Sequence, residues 1–176
     1  MKLLTTLMFI SLTAIACKTS KQALTVTKDV DGNLVGIAQK SDFEKAPHNT
    51  WFLKNYKDYT PDIAVINQLK PLLNNVKIKA VMGTWCGDSR RETPHFYKVL
   101  EAAGFDFKNL TMITVNRSKA TPDNDQEGLE IERVPTFIFY KNGQEINRFV
   151  EYPRETLEKD FLRILQENGY KHSYLD

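Results

Sequence analysis

Cysteine is scarce in this chain: Cys17 and Cys86 are the only two among 176 residues. A multi-bridge disulfide framework is therefore excluded, and at most one intrachain bridge could form. Histidine is nearly as rare. His48, His95 and His172 stand too far apart for paired metal-ligand spacing, so no metal or other cofactor is expected. No glycine-rich loop suited to cradling a phosphate occurs. There is no basic stripe interleaved with aromatics, and the net charge is only +2, which argues against a nucleic-acid partner. No apolar run approaches the roughly 20 residues of a membrane-spanning helix, and no internal repeat or low-complexity segment shows.

What is there belongs to an ordinary globular protein, 41% hydrophobic and 26% charged. That length fits one domain. The start of the chain is different in kind: Lys2 is followed by a short apolar run from Leu3 to Ile15 and by the small residues Ala14-Ile15-Ala16. This is the pattern of a secretion signal over residues 1–16, and it implies export. Ala14-Ile15-Ala16-Cys17 also resembles the lipobox of bacterial lipoproteins, with Ala14 in place of the usual leucine. The resemblance implies acylation of Cys17, a polar tether over 17–23, and a cell-envelope protein held to the membrane by lipid and facing the periplasm. Ordinary cleavage after Ala16, leaving Cys17 as a free thiol, is the alternative.

Local patterns place the remaining elements. Leu24-Thr25-Val26-Thr27 and Leu34-Val35-Gly36-Ile37 flank Asp31-Gly32-Asn33 as a small hairpin. Residues 41–57 carry Phe43, Trp51, Phe52 and Tyr56 on one expected helix, completing an amino-terminal extension over 24–59. A clearer helix begins at Asp62, with Ile63, Ile66, Leu69 and Leu72 at helical spacing. Val76 to Met82 reads as a buried strand. A helix follows from about Asp88 or Ser89, with Pro94 inside it and Gly104 stopping it. Leu110 to Val115 is a second buried strand. Thr136–Tyr140 and Ile146–Val150 surround Lys141-Asn142-Gly143-Gln144, the strongest hairpin signal in the chain. Thr156–Gln166 is a final helix with Leu157, Phe161, Leu162 and Leu165 inward. The order indicates an α/β domain, a mixed sheet flanked by helices, over residues 60–176.

Chemistry concentrates at Trp85-Cys86-Gly87-Asp88-Ser89. A cysteine between a buried strand and a helix start meets the positive end of the helix dipole and unpaired N–H groups, which favour the reactive thiolate. If Cys17 carries lipid, Cys86 has no partner within the chain. The bland alternative is an inert core cysteine, which the polar neighbours Gly87, Asp88 and Ser89 disfavour. Asp88 and Ser89 also suit capping of the helix. His95 reads as a surface residue rather than a base.

The ordered set of features resembles the thioredoxin-like superfamily over about residues 60–168. A strand leads into Trp85-Cys86-Gly87, Pro94 stands nine residues after Trp85, and Val134-Pro135-Thr136 precedes the hairpin. The resemblance implies a thioredoxin-like fold and a cis bond before Pro135. It also implies that Pro135 packs beside Cys86 and that the Val134 backbone pairs with an extended client. Ser89 stands where the usual Cys-x-x-Cys pair has its second sulfur, and Ala80 where the family has a buried acid. Gly83 stands where a peroxiredoxin would have threonine. Cys-Gly-Asp-Ser is also a little like the monothiol glutaredoxin motif, a reading weakened by export and by Trp85.

A single-thiol site can form a mixed disulfide but cannot resolve it internally. The expected function is thus a monothiol thiol–disulfide oxidoreductase or isomerase, or a reductase of oxidised cysteines. Cys86 is the nucleophile and Ser89 a candidate hydrogen-bond donor to its thiolate, with Trp85, Gly87, Asp88, Val134 and Pro135 contacting substrate. Exported cysteine-containing proteins or low-molecular-weight thiols are the expected partners. The competing reading is a non-catalytic binding module that keeps the groove without turnover.

Overall fold

The computed structural model describes residues 26–175. The signal segment, the tether with Cys17, and the first two residues of the expected hairpin lie outside the described residues. Among the described residues, no helix is long and apolar enough to cross a membrane.

Six strands form one mixed sheet. They are β1 (Thr27–Lys28), β2 (Leu34–Ala38), β3 (Val76–Met82), β4 (Leu110–Thr114), β5 (Thr136–Lys141) and β6 (Gln144–Val150), in spatial order β1-β2-β4-β3-β5-β6. Only β3 and β4 run parallel; β2 pairs antiparallel with β4, β5 with β3, and β6 with β5. A parallel pair needs a long crossover, and α4 (Gly87–Ala102) supplies it between β3 and β4. The amino-terminal hairpin joins this same sheet through Ile37, opposite Ile113 of β4. The β5–β6 turn places Asn142 and Gly143 at φ 51° and 81°. Two left-handed residues make the tight turn that matches strand twist, which is why Asn-Gly signals it.

The aromatic segment forms two helices, α1 (Lys40–Phe43) and α2 (Asn49–Asp58), with a cis Ala46–Pro47 bond between them, where the sequence reading has one. Phe43 and Phe52 are fully buried and stack at 5.7 Å. The next helix, α3 (Ile63–Leu72), is capped by Asp62, whose side chain accepts from the Ala64 and Val65 N–H groups. Its buried face is Val65, Ile66 and Leu69; Ile63, expected inside, is exposed. In α5 (Leu157–Leu165) the inward set is Leu157, Phe161, Ile164 and Leu165, with Leu162 only partly covered.

The main core lies under these helices. Phe96 of α4 stacks on Phe137 of β5 at 4.3 Å, and Phe161 of α5 meets Phe139 edge-on at 4.9 Å. A smaller cluster, Val81, Ile113, Val115, Leu129, Val134 and Ile138, forms separately, and Trp85 and Cys86 pack against it. That second cluster seats the turn that follows β3.

Candidate functional site

Cys86 is the N-cap of α4, which begins at Gly87, one residue before Asp88, the earlier of the two expected starts. Its backbone is extended, at φ −88° and ψ 130°, while its carbonyl already accepts from Arg90 N–H at 3.0 Å. The side chain is half-buried. Cys86 therefore stands at the positive end of the α4 dipole, although its side chain makes no capping hydrogen bond to the helix amides.

The loop before β5 comes to the same place. The Val134–Pro135 bond is cis, and the Cys86 thiol donates to the Val134 carbonyl at 3.2 Å although the two residues are 48 positions apart. Thr136 Oγ1 donates to the Arg133 carbonyl at 2.8 Å, and Glu151 N–H donates to the Pro135 carbonyl at 2.8 Å. These bonds hold the turn on both sides of the proline.

Trp85 lines the approach. Its indole N–H donates to the Val115 carbonyl at 2.9 Å, and the Arg117 guanidinium lies 5.4 Å from the ring. The indole rests directly on Gly83, where an added Cβ would stand 2.6 Å from two ring atoms. Gly83, noted in the sequence only as the residue a peroxiredoxin would not have, is thus the floor of the tryptophan. Thr84 ties the loop to the amino-terminal hairpin: its hydroxyl accepts from Leu34 N–H at 3.1 Å, and its carbonyl accepts from Arg90 Nε at 2.5 Å.

Ser89 is fully buried one turn into α4, and its hydroxyl oxygen accepts from Gly83 N–H at 3.2 Å. Asp88 is held by Arg91 at 2.7 Å, and Arg91 Nε reaches Glu92 at 2.7 Å. The acid beside the thiol is thereby paired. Gly87 is exposed, with open space around its Cα. Ala80 is buried between Met112 and Phe137 in the sheet.

Sequence reasoning missed Glu92. It is 3% exposed on α4 and lies 3.5 Å from His95 Nδ1. It also misplaced His95, whose side chain is 15% exposed and stacks on Tyr59 at 4.0 Å. The signal available was spacing alone, since Ser89, Glu92 and His95 recur every three residues on one helical face. Among the described residues no group of three or more histidine, cysteine or acidic side chains is arranged to hold a metal ion.

Comparisons with known proteins agree with this geometry. The family model described as thioredoxin matches residues 38–161. A thioredoxin from Ictalurus punctatus is 30% identical over 98 residues, spanning 53% of this chain and 88% of that protein. A thioredoxin from Coprinus comatus is 31% identical over 90 residues, spanning 50% and 81%. The crystal structure of a protein of unknown function from Pseudomonas aeruginosa aligns with a TM-score of 0.57 at 14% identity, over 75% of this chain and 93% of that one. That last likeness shows a shared fold only. The family match takes in the Cys86 turn, the cis-proline loop and most of the sheet, and by it the chain belongs to the thioredoxin family, whose membership points to a redox role.

Proposed function

We propose that the protein is an exported, lipid-anchored thioredoxin-family enzyme that works through one thiol. It acts as a thiol–disulfide oxidoreductase or isomerase, or as a reductase of oxidised cysteines on exported proteins. The observation that carries this reading is the half-buried Cys86 at the mouth of α4, facing the carbonyl before a cis-proline. Ser89, not a second sulfur, stands at the fourth position. Deprotonated Cys86 attacks one sulfur of a client disulfide, forming a Cys86–client disulfide and expelling the other client sulfur as thiolate. A different client thiolate (isomerisation) or an external thiolate (reduction) then attacks the client sulfur of that bond, forming the new disulfide and returning Cys86 as thiolate. The Ser89 oxygen accepts from Gly83 N–H, and among the described residues no hydrogen bond joins its hydroxyl to Cys86; a bond to the thiolate would have to form on ionisation. With Asp88 engaged by Arg91, its charge opposes the thiolate less than a free carboxylate would.

The test is alkylation of Cys86 across pH together with acid-trapped mixed disulfides from intact cells, with Cys86→Ser as control. Cys86-dependent adducts and alkylation faster than a free cysteine at neutral pH are expected. Neither appearing would remove the enzymatic reading and leave the non-catalytic binding module. One observation favours that module: Ser89 stands where a second sulfur would resolve the mixed disulfide. The lipid anchor is a separate part of the proposal. A Cys17→Ser protein is expected in the soluble envelope fraction, and its retention on membranes would refute the anchor.

A further inference from the structure

Far from Cys86, the fold leaves a cavity of about 280 Å³ where β2 ends and the chain turns into α1. β4 runs two residues beyond the last β2 partner, so Leu110 and Thr111 border an open notch. Tyr97 of α4, eleven residues after Cys86 and thus roughly 16 Å along the helix, covers it. Phe107 stacks on Tyr97 at 5.8 Å and forms the aromatic wall, and Met112 lies deeper.

Tyr97 is the unusual member. It is 2% exposed and lines the cavity, yet its hydroxyl bonds to no other described residue. No described residue takes that hydroxyl, and it borders the cavity, where an acceptor on a bound molecule can receive it. Burial first, then Asp42, Glu101 and Glu44, push its ionisation above the ordinary tyrosine range, so it stays a donor. The rim chemistry is already satisfied: Glu101 takes Lys40 at 2.6 Å on one oxygen and the Tyr56 hydroxyl on the other. Asp42, Glu44 and Glu101 against the Lys40 and Lys45 ammoniums leave the rim net negative, which disfavours an anion.

We propose that this cavity is a binding site for a small, neutral, ring-bearing molecule whose carbonyl oxygen accepts the Tyr97 hydroxyl. The ring packs against Phe107, and the acceptor takes the Tyr97 hydroxyl, which no described residue accepts. This site is independent of the thiol chemistry.

Acetophenone is a suitable probe, followed by backbone amide shifts of the purified protein, with benzoate and ethylbenzene as comparators. Acetophenone is expected to move the Lys40, Thr111 and Met112 resonances saturably. Tyr97→Phe should weaken it about fivefold, the scale of one neutral hydrogen bond, while leaving ethylbenzene unaffected. Benzoate should bind more weakly than acetophenone. A well-dispersed spectrum confirms that the variant is folded. Absence of saturable shifts, equal acetophenone affinity in Tyr97→Phe, or benzoate binding as tightly would overturn the assignment.

Discussion

Replacing Gly83 by alanine tests how the loop that carries Trp85 and Cys86 is built. The Gly83 backbone lies outside the left-handed region, so alanine is not strained there; the cost is spatial. A Cβ would stand 2.6 Å from Trp85 Cε2 and Nε1, against an ordinary contact of roughly 3.5–4.0 Å between heavy atoms. The indole must therefore move by about 1 Å. It is rigid and is pinned by its 2.9 Å bond to the Val115 carbonyl, so little of the strain can relax. Losing that bond costs about 1 kcal/mol, and forcing an extra methyl into a packed site costs about 1–3 kcal/mol. Together these predict a destabilisation of about 2–4 kcal/mol. Urea unfolding of wild type, Gly83→Ala, Trp85→Ala and the double variant closes a thermodynamic cycle. The coupling should recover most of the loss, because the three atoms nearest the added methyl all belong to the indole. The same cost for Gly83→Ala in both backgrounds would refute the reasoning, as would a loss below about 0.5 kcal/mol, the scale of an unremarkable surface change.

Three other outcomes are expected. Ser89→Cys places a second sulfur at the N3 position of a helix whose N-cap is Cys86, positions whose side chains meet in capping boxes; under oxidant it should lose both thiols to Ellman's reagent, and two retained thiols would show that the pair cannot close. Asp160 is fully buried, and its Oδ1 has no hydrogen-bond partner among the described residues, so burial holds its carboxyl above the usual carboxylate range. Stability from that group is present at low pH and lost as pH rises through its folded-state value. Asp160→Asn should therefore raise the urea midpoint at pH 7, with the gain shrinking toward pH 4; a gain constant across pH would contradict this. The His48 Nε2 is buried without a partner, and burial, then Lys28 and Arg90, lower its ionisation below the ordinary 6.5. The neutral ring is favoured in the folded state, so stability present above pH 6.5 falls as pH drops below it. His48→Phe should flatten the stability profile between pH 7 and 5, and an unchanged slope would count against it.

The parts of the fold that were legible in the sequence are those written in short-range periodicity. The Val76–Met82 strand is continuous apolar or alternating sequence, and its ends agree with the residues that pair. The Asn142-Gly143 turn and the Asp62 cap are equally local, because backbone sterics or one side-chain bond decide each. The cysteine turn was legible through its order along the chain, since a helix start after a buried strand has few alternatives. What was not legible depends on distant packing. The sequence does not tell that His95 slides under Tyr59, because their contact joins α4 to the extended residue that ends α2. Nor does it tell that Ile63 faces outward while Val65 faces in, since both fit a helical stripe and only the neighbouring elements choose. Gly83 needed the indole in place before its role could be seen.

The bond from the Cys86 thiol to the Val134 carbonyl has a consequence for how docking and chemistry are timed. Once ionised, the sulfur has no hydrogen to give, and the carbonyl is left facing outward for the main chain of an arriving polypeptide. A polypeptide amide that claims the carbonyl first takes away the thiol's acceptor. By reciprocity each event favours the other. If Cys86 works as proposed, the nucleophile is thereby readied by the arrival of its target rather than standing armed in an empty cleft.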